Sequence, residues 1–317
     1  MNRNTLLKWA PLLVLVLLIA LFTAVNANFL SVRNFARLAT AAAPPLMVAL
    51  GVTFIIVMGS IDLSMEGTVS LTAVLFCMIS LALGDSLLPV GWVALPLTLL
   101  TGTVIGALVG LLHVRLRIPS FMASLAMGFV GTGAAILITG GAIVRSHDEA
   151  FRSLQTVHFL QFPLMCWLAL VCFLAAWFIQ TKTTLGRNFY AVGGGEELAH
   201  ASGLNVKRVR IMGFALAGTF YAIAAIMMVA RLGQAESTTG ANMMFTSVTS
   251  VVVGGVALWG GIGGVWNALV GVLIVTVISN GMVVAGLPTF IQDGVLGVLV
   301  IIAVVLSTDR RSISFVK

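Results

Sequence analysis

The 317-residue chain is 60% hydrophobic and only 9% charged, with 17 Lys and Arg against 10 Asp and Glu, and its mean hydropathy is +1.12. Soluble domains carry roughly a quarter charged residues, so this composition excludes a soluble enzyme or binding module and requires the lipid bilayer as solvent. A net charge of +7 would suggest nucleic acid in a soluble protein, but here the basic residues occupy short connections between apolar runs, where they orient the chain and imply no nucleic-acid partner.

About 30 Å of hydrocarbon and roughly 20 residues per spanning helix leave room for about eight to eleven spans and no separate soluble domain. Residues 1–317 therefore read as one all-α transmembrane domain. The apolar runs are continuous rather than alternating, which argues against a barrel. Ten spans are expected, at about residues 9–25, 38–58, 65–83, 92–112, 120–140, 163–180, 211–230, 245–259, 265–285 and 291–308. The first follows Arg3 and Lys8 but precedes no small-residue cleavage site, so it is a retained helix and not a signal peptide.

Asp62 lies in Gly59-Ser60-Ile61-Asp62-Leu63-Ser64, where the second span ends, with Glu66 just beyond. A carboxylate within the membrane is by default a proton or ligand site. At a helix junction the stronger reading is structural: Asp62 and Ser64 cap the first turn of the third span. In the fourth span, Gly102, Gly106 and Gly110 form a small-xxx-small array that admits a close neighbour, within this chain or across a dimer. The connection from Gly141 to Phe162 carries Arg145, His147, Asp148, Glu149 and Arg152, and suits contact with an external partner at the membrane surface.

The most polar stretch runs from about residue 181 to 210. Gly193-Gly194-Gly195 precede Glu196-Glu197-Leu198-Ala199-His200-Ala201-Ser202-Gly203. Glycines thus isolate a short helix with acidic residues in its first turn and Gly203 at its end. Such a knob outside the membrane is either a docking element or an ordinary surface loop. Gly254-Gly255 and Gly260-Gly261-Ile262-Gly263-Gly264 break the chain between the eighth and ninth spans. Asn267, Asn280 and Gln292 are polar residues in or beside the last two spans, suited to weak solute contacts or to hydrogen bonds between helices. Cys77, Cys166 and Cys172 show no metal-ligand spacing and read as packing residues, so no metal and no cofactor is expected.

With the amino terminus in the cytoplasm, 12 of the 17 basic residues fall inside, and only Arg33, Arg37, Arg145, Arg152 and Arg231 fall outside. The acids split evenly. A basic bias without an acidic one follows the positive-inside rule and places both termini in the cytoplasm.

Glu197, Ala199 and Gly203 stand at the spacing Glu-x-Ala-x-x-x-Gly, which resembles the coupling-helix signature of ABC importer permeases. Three further stretches are similar to the ribose-type, simple-sugar branch of that family: Ile61-Asp62-Leu63-Ser64, the Leu185-Gly186-Arg187 run with Ala191 and Gly193-Gly194, and Val251 to Gly264 with its paired glycines. The likeness covers about residues 28–308. Two departures stand out: Gly195 where the family usually has Asn, and Met244-Phe245-Thr246 where it usually has Glu-Leu-Asp. The lost carboxylates suggest pairing with a related permease instead of an identical copy.

The resemblance implies a permease subunit of the bacterial inner membrane, with three partners: a separate ATP-binding cassette ATPase, a solute-binding protein that delivers the sugar, and a second permease subunit, identical or related. Glu196, Glu197, Ala199, His200, Ser202 and Gly203 would seat in the ATPase. The residues themselves agree that no reaction is catalysed here, because there is no nucleophile, base and orienter set and no Gly-x-x-x-x-Gly-Lys loop. The rival reading is an ion-gradient-driven secondary transporter or channel. It requires an intramembrane carboxylate, for which the loop ends aside the sequence offers only Asp293.

Overall fold

The computed structural model describes residues 3–86, 90–146, 148–286, 288, 291, 294–295, 297–298 and 301. Twelve α-helices occupy the described residues: α1 (Arg3–Val25), α2 (Val32–Val57), α3 (Met65–Ala82), α4 (Ala94–Leu116), α5 (Ser120–Thr139), α6 (Glu149–Thr156), α7 (Leu164–Lys182), α8 (Thr184–Gly194), α9 (Glu196–Ala201), α10 (Val206–Leu232), α11 (Met243–Val253) and α12 (Val265–Val284). Lipid offers backbone groups no hydrogen bonds, so the apolar runs satisfy them internally by coiling. Seven helical stretches are long and apolar enough to cross a membrane, from Val32–Val57 to Val265–Val284.

The first and eighth expected spans correspond to the shorter apolar helices Trp9–Val25 and Met243–Val253. The eighth is cut short because Gly254 and Gly255 turn the chain, Gly255 with φ +93°, so the apolar residues up to Trp259 are not helical. The tenth run lies largely outside the described residues.

Helices α2 and α10 form the centre and pack on each other; α10 also packs on α3 and α4, and α2 on α7, α11 and α12. Glycines set the α4–α10 contact. A Cβ on Gly106 would lie 2.1 Å from the Phe214 carbonyl oxygen, and one on Gly218 would lie 2.0 Å from that of Gly102. The Gly102–Gly110 array is thus spent inside the chain, and the Thr103 and Thr219 hydroxyls meet across it at 2.7 Å. A second cluster, with Leu15, Phe29, Leu38, Ile274 and Ile278, joins α1 to α12.

The bundle has two polar ends. One is built from α8, α9 and the first turn of α10. The other gathers α6 and two short antiparallel pairs, β1 (Val144–Arg145) with β4 (Gln234–Ala235) and β2 (His158–Phe159) with β3 (Phe162–Pro163). Helix α10 connects them. Arg210 and Arg231 mark its two ends and stand 21 residues, or about 32 Å, apart along the axis, close to the thickness of a bilayer's hydrocarbon core.

Candidate functional site

At the first polar end, Thr183 accepts the Gly186 N–H and starts α8 directly after α7. Gly193 lets α8 reach the end of α2, since a Cβ there would lie 1.8 Å from the Val57 carbonyl oxygen. That carbonyl also accepts the Gly261 N–H at 2.9 Å. Tyr190 donates to the Gly263 carbonyl and accepts from Gln180, while Gln180 Oε1 accepts the Val265 N–H at 2.7 Å. The glycine-rich break after α11 therefore lies against α7, α8 and the end of α2, and its glycines permit that approach.

Helix α9 projects from this layer. Gly203, at φ +86°, closes it by donating to the His200 carbonyl, and Leu204 donates to that of Ala199. A left-handed residue at this position releases the chain from the helix, which is why glycine is favoured here. Glu196, Glu197, His200, Ser202 and Gly203 are exposed as the sequence suggested. Ala199 is not: it is 5% exposed and joins the core, whereas Leu198 is 77% exposed. On a single helical turn, the small residue seats the helix on its own protein and the large apolar one faces away. A surface concavity of about 840 Å³ beside it is lined by Gly195, Glu196, Glu197, Leu198, His200 and Val206.

Arg210 ties α9 to the bundle. Its guanidinium donates to Glu196 Oε2 at 2.6 Å and lies 2.7 Å from His113 Nε2 at the end of α4. His113 Nδ1 is 2.7 Å from the Ile118 carbonyl oxygen. Arginine has no acceptor, so in the Arg210 contact it is His113 Nε2 that accepts.

The residues expected at the end of the second span lie elsewhere. Asp62 is 1% exposed and sits inside the bundle on an extended segment between α2 and α3. Its Oδ1 accepts the Ser64 N–H at 2.8 Å, and its Oδ2 accepts the Tyr221 hydroxyl at 3.0 Å. Ser120 and Ser124 of α5 accept the N–H groups of Ile61 and Leu63 at 3.0 and 2.9 Å. Ser64 is the residue preceding α3, but its hydroxyl makes no capping bond. The expected cap is corrected accordingly: Asp62 serves the extended segment and α10, not the free N–H groups of α3. It is a carboxylate buried within the helix bundle, where the sequence placed it at a loop end.

Asn267 donates to the Gly254 carbonyl at 2.8 Å, which assigns it to packing of α12 on the break after α11. Asn280 lines a cavity of about 790 Å³ at the opposite polar end, together with Arg33, Arg37, Gln155, His158 and Arg231. Gln292, like Asp293 and His147, lies outside the described residues. The three cysteines are free. Among the described residues no group of His, Cys, Asp and Glu is placed to hold a metal.

Sequence reasoning missed His113, Arg210, Tyr221 and the serines of α5. Their partners stand 14 to 159 residues away along the chain, and no local pattern links them.

A family model described as the permease component of the branched-chain amino acid transport system matches residues 34–304. The chain is similar to the ribose import permease protein RbsC of Bacillus subtilis (strain 168), with 32% identity covering 96% of this chain and 93% of that protein. The RbsC of Haemophilus influenzae is 29% identical, over 94% of this chain and 92% of its own length. The autoinducer 2 import system permease protein LsrC of Salmonella typhi is 31% identical over 94% and 84%.

Proposed function

The chain belongs to the permease family whose model spans residues 34–304, and from that premise we propose that it is the membrane subunit of an ATP-binding cassette importer for a simple sugar. It is a multi-pass protein of the bacterial inner membrane. The sugar class is supported by relatives named for ribose and autoinducer 2 import, which match it over more than nine-tenths of its length. A separate ATPase subunit hydrolyses ATP, and a solute-binding protein delivers the sugar.

In this reading the chain has ten spans, both termini and α9 lie in the cytoplasm, and the end with α6 faces outward. The observation that carries it is α9: a short exposed helix with a large apolar side chain, Leu198, turned away from its own protein. Glu196, Glu197, Leu198, His200, Ser202 and Gly203 form the face offered to the ATPase. Closure of two ATPase subunits pushes α9. Arg210 carries that displacement to α4 and α10, and α8 carries it to the end of α2 and the glycine-rich break. The helices then rock between outward and inward openings around a second permease subunit. The outer cavity, with Asn280 in its wall, receives sugar from the binding protein.

The test is uptake by proteoliposomes that contain the chain, its ATPase and its binding protein. Accumulation of labelled D-ribose or another pentose should require internal ATP. Uptake that follows a proton or sodium gradient and ignores ATP would overturn the reading.

A further inference from the structure

Two helices begin deep inside the bundle. Tyr221, which holds Asp62, stands 15 residues from the start of α10 and 11 from its end, or about 22 and 16 Å from the two polar ends. The Leu63 carbonyl and Ser64 lie against Gly128, 3.2 and 3.4 Å from where its Cβ would be, so α3 starts about 12 Å up α5. From the other side, β4 leaves the outer end and the chain dips inward. The Gly240 N–H reaches Ser70 Oγ at 3.0 Å, and the Met244 N–H reaches Glu66 Oε1 at 3.3 Å. A Cβ on Gly240 would lie 2.2 Å from the Glu66 carbonyl oxygen. Helices α3 and α11 therefore start side by side at mid-depth, and the Glu66 carboxylate satisfies a free N–H of α11.

This junction is partly uncovered. Ala241 and Asn242 are exposed and Glu66 is half-buried, with Asn242 held at φ +65°. Non-helical backbone and a carboxylate at this depth do not tolerate lipid; they occur where protein or a water-filled cavity meets them. Beneath them Thr68 Oγ1 and Ser247 Oγ are buried and have no hydrogen-bond partner among the described residues. The two helix N-termini bring partial positive charge that offsets Glu66. The place is thus polar and close to neutral overall, and it presents hydroxyl and amide groups that both donate and accept.

We infer that residues 240–244 and the first turn of α3 line the translocation path at mid-membrane, with Asn242 and Glu66 as contacts for the hydroxyls of a neutral polyhydroxylated solute. The inference rests on the proposed importer function and names where its solute passes.

Single-cysteine variants test it in vesicles carrying the assembled transporter, with Cys77, Cys166 and Cys172 replaced by serine. Asn242→Cys, with Ala241→Cys as a second position, is exposed to a charged sulfonate methanethiosulfonate. Val171→Cys on the outward face of α7, 62% exposed, is the lipid control. The expected result is modification of the two loop cysteines more than tenfold faster than the control, slowed by D-ribose and followed by loss of uptake. Loop cysteines as unreactive as Val171→Cys in a transporter that still takes up sugar with ATP would overturn the inference and leave the importer reading intact. Absence of ATP-driven uptake before any labelling would instead refute the importer reading.

Discussion

Arg210 Nη2 lies 2.6 Å from Glu196 Oε2, an ion pair that joins the first residue of α9 to the first turns of α10. An exposed pair of this kind contributes little stability, about 0–1 kcal/mol, and Glu196 is largely solvated. Its consequence is mechanical, because the same guanidinium also meets His113 of α4. A displacement of α9 would thereby be delivered to two long helices whose backbones are locked together by glycine.

Arg210→Ala should consequently leave membrane accumulation unchanged while lowering sugar transported per ATP hydrolysed by about an order of magnitude. Arg210→Lys keeps the charge but loses the two-sided fork and should fall between. Equal coupling ratios in wild type and Arg210→Ala, measured in proteoliposomes, would show that α9 drives the bundle by another route.

Asp62 separates a structural role from a charge role. Asp62→Asn keeps an oxygen for the Ser64 N–H and turns its NH2 toward the Tyr221 hydroxyl, which can accept in place of donating, so the variant should accumulate and transport at near wild-type level. Asp62→Ala strands both donors in the interior, at about 1–3 kcal/mol for each, and should reduce accumulation severalfold. Transport abolished in Asp62→Asn with normal accumulation would make the carboxylate's charge itself functional, and would revive the gradient-driven reading.

The α4–α10 contact predicts a sharp positional contrast between two helical glycines. Gly106→Ala puts a methyl group 2.1 Å from the Phe214 carbonyl oxygen, an overlap that only helix separation relieves, at about 1–3 kcal/mol or more. Gly133→Ala meets nothing within 4 Å and removes a flexible residue from α5, a change worth about 0.5–1 kcal/mol in its favour. Thermal unfolding in detergent should lower the midpoint for the first and hold or raise it for the second.

Much of this was legible in the sequence. Continuous apolar runs mark the spans because lipid demands helices, and glycines at 193–195 and 203 mark α9 because they free it at both ends. The depth of Asp62 was not legible. Span length counts residues, and a run that ends at Met58 reads as reaching the surface, whereas the chain turns back and Tyr221 on a distant helix takes up its carboxylate. The same blindness extended the eighth span over Val256–Trp259, since apolarity alone does not distinguish a helix from a turn packed between helices. The inward face of Ala199 was equally hidden, because a helix of six residues shows no periodicity from which to read its buried side.

If an ATPase takes hold at α9, Leu198 is the residue to ask, because its side chain is 77% exposed and leaves the bundle's packing untouched. The measurement is recovery of the ATPase with affinity-purified Leu198→Glu, set beside the variant's accumulation in the membrane and its sugar uptake. Wild-type accumulation is expected, with loss of most of the ATPase and loss of uptake. A variant that accumulates, retains its ATPase and transports at the wild-type rate would contradict it.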